Sequence, residues 1–167
     1  MDEEKKQLII VAGPEASGKK TFSEVFKTAF LQGLPEDNIY KGIISGMSFY
    51  TISTLSTPED VKLIKLAKEK GYRITIYYLF TPKSLCKVRA RLRSIVSKIP
   101  YNEADMKAKY DLSRKNLAEL KNCTDILFLV RNLKEFDFVS AISPETVPAR
   151  TYQIAIAKIQ ASVELPE

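Results

Sequence analysis

Gly13-Pro14-Glu15-Ala16-Ser17-Gly18-Lys19-Lys20-Thr21 is the stretch whose residue types and spacing could do chemistry. It satisfies G-x-x-x-x-G-K, the pattern of a phosphate-cradling loop when it follows a strand and opens a helix. Gly13 and Gly18 permit backbone angles that turn consecutive N–H groups toward one point. A helix N-terminus adds about half a positive charge there, and Lys19 can reach the β- and γ-phosphates of a nucleotide. Gly13 through Thr21 is therefore the candidate nucleotide-binding set; the bland alternative is a glycine-containing turn with Lys19 solvated. The position after Lys19, where a Ser or Thr hydroxyl would bind Mg²⁺, holds Lys20. That second ammonium either repels the metal or stands in for its charge, and Thr21 serves as the metal ligand only if the helix starts one residue later.

The flanking elements supply the required context. Gln7–Ala12 is a nearly continuous apolar run, typical of a strand buried on both faces. Phe22, Val25, Phe26, Ala29 and Phe30 predict a helix over Thr21–Leu31. Ile39–Ile44 and Ser48–Ser53 read as short strands. Thr57 caps a helix with Pro58 in its first turn and Gly71 beyond its end. Tyr72–Phe80 reads as a buried strand. Thr81-Pro82 opens a helix with Leu85, Val88, Leu92, Ile95 and Ile99 on one face, and Asn102 caps another running to Leu120. Asp125–Val130 is a further strand, and a C-terminal helix is expected around Ala149–Val163. Strands alternating with helices predict an α/β fold, a P-loop NTPase-like three-layer sandwich with a mainly parallel sheet, as one domain over residues 1–167.

Composition removes many mechanisms. The 167 residues contain no histidine, which excludes a Ser-His-Asp triad, a Cys-His pair and histidine-ligated zinc. Cys86 and Cys123 stand too far apart for a CxxC motif and read as packed thiols. The N-terminus is charged where a signal peptide would be apolar, and no apolar run approaches the roughly 20 residues that span a bilayer. A cytoplasmic protein with no membrane association is expected. The net charge of +6 suits an anionic partner.

Three further clusters have rival readings. Lys83, Lys87, Arg89, Arg91, Arg93 and Lys98 form a basic stretch without an acid, readable as a lid over phosphates, a nucleic-acid surface or a solvated helix face. The loop favours phosphate for Lys87 and Arg91 and leaves Arg89 and Arg93 as surface residues. Tyr72, Tyr77, Tyr78 and Phe80 read as core rather than a base-stacking platform. Thr51, Ser53, Thr54 and Ser56 are either strand and capping residues or hydrogen-bonding groups for a substrate.

On these residues the chain resembles the zeta-toxin-like family of P-loop small-molecule kinases. Ile9-Ile10-Val11-Ala12-Gly13-Pro14 leads into the loop. Phe49 through Leu55-Ser56 is followed at the family's spacing by Leu63-Ile64, Ala67-Lys68 and Gly71-Tyr72. Lys87-Val88, Arg91-Leu92, Ile99-Pro100, Lys109-Tyr110, Ser113, Asn116-Leu117 and Asp125 complete the pattern. The resemblance implies a parallel P-loop sheet, ATP with Mg²⁺, and phosphorylation of a small molecule such as an activated amino sugar. It places Lys87 and Arg91 where the family has an arginine pair that stabilises the transferring phosphoryl group. One turn apart, the two share a helix face.

The chain departs from the family at Ile52, at Ile95-Val96-Ser97 and at Lys109, and its segment between the loop helix and Phe49 is short. The family's catalytic aspartate belongs in that segment, where Glu36 and Asp37 are the nearest carboxylates. The expectation is an ATP-dependent kinase of a small hydroxylated substrate, with Lys19, Lys87 and Arg91 stabilising charge and Asp37 as candidate base. The alternatives are a nucleotide-binding protein without the base and a basic protein that binds nucleic acid.

Overall fold

The computed structural model describes residues 5–98, 100–132 and 136–142, with side chains described as far as residue 136. The elements are β1 (Gln7–Ala12), α1 (Lys19–Val25), α2 (Ile39–Ser45), β2 (Phe49–Ser53), α3 (Pro58–Glu69), β3 (Arg73–Leu79), α4 (Lys83–Ser97), α5 (Glu103–Glu119), β4 (Ile126–Asn132) and β5 (Phe136–Ile142). The expected helix at Ala149–Val163 lies outside the described residues.

The strands form one sheet in the order β2-β1-β3-β4-β5. The first four are parallel, and β5 runs antiparallel to β4. The central position of β1 and β3 follows from their sequences. Leu8, Ile10 and Ala12 point to one face and Ile9 and Val11 to the other, so both faces need cover. On one face α2, α3 and α5 contribute Ile43, Ile64 and Leu117 to the larger core. On the other, Phe22 of α1 packs with Tyr77, Leu79 and Val130. The result is the expected α/β sandwich of three layers. Tyr72, Tyr77, Tyr78 and Phe80 are buried, as their setting in a strand predicts.

Four local expectations need correction. Ile39–Ile44 is not a strand but most of α2. Asn38 accepts hydrogen bonds from the amides of Tyr40 and Lys41, and Gly46 closes the helix at φ 69°. Capping and the close seat of Gly42 on the Phe49 ring outweigh the β-branched residues. The loop helix starts at Lys19 and ends at Val25, because Phe26 and Phe30 leave helical geometry to pack against Phe136 and Tyr77. The apolar stripe of α4 does not face the core: Val88 and Leu92 are more than half exposed and Ile95 is 73% exposed, while Cys86 and Ala90 are buried; Ile99 lies outside the described residues. Finally, β5 extends the sheet beyond the last predicted strand.

Candidate functional site

The loop of residues 13–18 leaves β1 at the C-terminal edge of the sheet and enters α1. Its path needs both glycines. A Cβ on Gly13 (φ 153°) would lie 2.7 Å from the Leu79 carbonyl oxygen and from Ser17 Oγ, and one on Gly18 (φ 102°) would strike the Asn132 side chain. The loop is tied at several points. Gly13 N donates to Ser53 O at 3.2 Å, and Ser17 N donates to Pro14 O at 3.1 Å. Thr81 Oγ1 and Asn132 Nδ2 donate to Ser17 O at 2.9 and 2.8 Å. Arg89 Nη1 reaches Ala16 O at 3.4 Å. The helix ladder begins with Phe22 N donating to Gly18 O, so the amides of Lys19, Lys20 and Thr21 have no partner within the helix.

Lys19 lies partly under the loop, its Nζ donating to Pro14 O at 2.7 Å. Burial lowers its pKa to about 8, and the Arg93 guanidinium adds to the drop, while Cys86 and Glu15 act against it. Cys86 itself is held up at about 12, chiefly by burial. Glu15, Lys20 and Thr21 are exposed, and Pro14, Ala16 and Ser17 are buried. The residues do not fit a divalent-cation site of the protein's own. Lys20 occupies the hydroxyl position, Thr21 is exposed one residue further on, and among the described residues no group of three or more His, Cys, Asp or Glu could hold a metal.

The basic helix α4 turns a different edge to the loop from the one the sequence favoured. Lys87 Nζ lies 3.0 Å from Glu103 Oε1, Arg91 lies 3.6 Å from Glu103 Oε2, and Arg91 stacks on the Tyr101 ring at 5.5 Å. The hydrogen bond to Glu103 raises the pKa of Lys87, and the same bond lowers that of Glu103. Lys87 and Arg91 are thus brought together, but against the start of α5. The side chains toward the loop are Arg89 and Arg93, set aside as surface residues in the sequence. Their signal was spacing: they lie three and seven residues after Cys86, the buried anchor of the helix. Arg93, Glu15, Ser94, Tyr101 and Lys109 line a cleft of about 260 Å³ between α4 and α5 beside the loop.

Asp37 is not brought to the loop. Its amide donates to Tyr50 O at 3.0 Å, and its carboxylate accepts from Asn38 N. Tyr50 pairs with Ile9, whereas the loop begins at the level of Ala12 and Ser53. Three residues of strand separate the two levels, about 10 Å. At the loop's own level stands the hydroxyl cluster. Ser53 Oγ accepts from Leu55 N, Thr54 and Ser56 share a hydrogen bond, and Asn116 Nδ2 holds Leu55 O at 2.6 Å. These contacts fix Leu55 at φ 53°. A hollow of about 100 Å³ beside them is lined by Asn38, Thr51, Ser53 and Asp60.

Under the same sheet edge Arg114 is 4% exposed, stacks on the Tyr110 ring at 4.5 Å and donates to its hydroxyl. Its Nε has no partner, and among the described residues no carboxylate pairs with it. Tyr110 Oη donates to Thr81 O at 2.7 Å, which links α5 to the residue that grips the loop. No described helix is long and apolar enough to cross a membrane.

No family model matches the chain, and no curated protein matches it in sequence. Solved structures match it in fold. A structure from the PezAT chromosomal toxin–antitoxin system of Streptococcus pneumoniae aligns at a TM-score of 0.62 and 12% identity, over 98% of this chain and 89% of that one. A chain of the AvrRxo1-ORF1:AvrRxo1-ORF2 complex with sulphate ions aligns at a TM-score of 0.58 and 15% identity, over 93% of this chain and 65% of that one. The complex with ATP aligns at a TM-score of 0.55 and 14% identity, over 97% of this chain and 66% of that one. This chain spans about two thirds of those two chains. The chain therefore shares the α/β fold of these structures, the fold that the resemblance in its sequence implies.

Proposed function

We propose that the chain binds ATP at residues 13–21 and transfers its γ-phosphoryl group to a hydroxyl of a small molecule. The observation that carries this reading is the loop itself, with amides free of the helix ladder at its mouth and the Lys19 ammonium beside them. Anions are favoured where unpaired N–H groups and the positive end of a helix coincide. The match to an AvrRxo1-ORF1:-ORF2 structure with ATP supports nucleotide as the anion.

Lys19 is held by a carbonyl that a phosphate oxygen would outcompete, since a charge-assisted bond to an anion is the stronger one. Arg89 and Arg93 stand on the loop side of α4, while Lys87 and Arg91 would join them only by leaving Glu103. The acceptor side is the end of β2. There Thr51 and Ser53 would offer hydrogen bonds, and Asp60, whose Oδ2 accepts from Thr57 Oγ1, is the carboxylate in the same hollow that would take the proton of the attacking hydroxyl. The acceptor's oxygen forms the new bond to the γ-phosphorus as the bond to the β–γ bridging oxygen breaks and ADP leaves.

Thermal-shift titration tests the binding step. At a hundredfold excess of ATP over its dissociation constant the folded state should gain about 2.7 kcal/mol. Lys19→Ala should lose most of that response. A wild-type chain that does not shift with ATP would reduce the loop to a structural turn.

A further inference from the structure

The Ser17 carbonyl oxygen takes two hydrogen bonds from outside the loop, from Thr81 Oγ1 and Asn132 Nδ2. The donors come from neighbouring parallel strands. Thr81 lies two residues beyond Leu79 and Asn132 two beyond its partner Val130, so the sheet register itself brings both to one point. Ser17 and Thr81 are both fully buried, so water does not compete for that carbonyl. Tyr110 fixes Thr81 in turn by donating to its carbonyl oxygen.

In a trans peptide the C=O and N–H groups point in opposite directions. Holding the Ser17 carbonyl against the strand ends therefore turns the Gly18 N–H away from them, to the side on which the first amides of α1 open. A glycine-rich loop without such a clamp would sample both orientations of this peptide, and ordering it on binding would cost affinity. The Ala16 carbonyl is held similarly by Arg89.

We infer that Thr81 and Asn132 are positioning residues for anion binding. They orient the Ser17–Gly18 peptide so that Gly18 N–H is presented to phosphate, and they touch no ligand themselves. This rests on the nucleotide reading above. Nothing in the sequence marks either residue, because one follows a strand and the other ends one more than a hundred residues from the loop.

Calorimetric titration of the full chain with ATP, and separately with inorganic pyrophosphate, tests it. Thr81→Val keeps the shape and removes one donor, Thr81→Ser keeps the donor, and Asn132→Leu removes the other. Loss of one well-oriented, charge-assisted amide contact corresponds to about tenfold in affinity. Thr81→Val and Asn132→Leu should each weaken both ligands by about that factor, with Thr81→Ser close to wild type. A packing role would not produce that rescue by serine. Asn132→Leu, at a partly exposed site, carries the test alone if Thr81→Val does not fold. Wild-type affinity in both donor-deleted variants, or equal weakening in Thr81→Ser and Thr81→Val, would overturn the inference while leaving nucleotide binding intact. A wild-type chain that binds neither ligand would instead refute the nucleotide reading, and the inference with it.

Discussion

Raising the pH from about 7 to about 9 should weaken ATP binding about tenfold through Lys19 alone. With its pKa near 8, the free lysine is about nine-tenths charged at the lower pH and about one-tenth charged at the upper. A site that takes the anion with the ammonium form loses apparent affinity in proportion to that fraction. Near pH 8 the complex should also take up about half a proton per ATP bound, because the anion restores the charge. Calorimetry in two buffers of different ionisation enthalpy reads both quantities. Lys19→Arg, whose guanidinium stays charged throughout, should show a level profile. Affinity that stays level in the wild type, or that declines equally in Lys19→Arg, would refute the reasoning.

The same lysine makes stability depend on pH. Its folded pKa of about 8 lies below the 10.5 of the unfolded chain, so between these values the unfolded state binds more protons and stability rises with pH. The cost of burying the charged form is present in full below about 8 and gone above 10.5. It amounts to about 3 kcal/mol, read as the difference between wild type and Lys19→Met in denaturant titrations at several pH values.

Arg114→Met should leave the unfolding free energy unchanged or raise it by about 1–2 kcal/mol, because the guanidinium is buried without a carboxylate and its Nε without a partner. Chemical denaturation decides, and a loss of several kcal/mol would show the charge to be compensated. Ile95→Glu on the exposed stripe of α4 should change stability by no more than about 0.5 kcal/mol, whereas a core position would lose far more. Asp60→Asn should keep ATP binding and lose ADP production, while Asp37→Asn keeps both. Loss of turnover in Asp37→Asn alone would return the base to the edge of β2.

What could be read in advance depended on how local the cause was. The loop, β1, β3 and the caps at Thr57 and Asn102 rest on short patterns whose physics involves only near neighbours. In Ile39–Ile44 the β-branched residues carry a strand signal, while the caps at Asn38 and Gly46 and the fit of Gly42 on Phe49 decide for helix. On α4, two interleaved apolar sets compete at helical spacing. The smaller, Cys86 and Ala90, packs inward and leaves Val88 and Leu92 more than half exposed, with Arg89 reaching the loop at Ala16 O. That rotation replaces Lys87 and Arg91 by Arg89 and Arg93 on the loop side. The grips of Thr81 and Asn132 on Ser17 depend on strand register, which no segment of sequence contains.

A crystal structure of the chain with a non-hydrolysable ATP analogue would show where the triphosphate lies. Its β- and γ-phosphate oxygens should sit about 3 Å from the amides of Gly18, Lys19 and Lys20, with Lys19 Nζ moved from Pro14 O onto the phosphate. Analogue bound elsewhere, or Lys19 still on the Pro14 carbonyl with the triphosphate outside the loop, would contradict a phosphate-cradling role for residues 13–19.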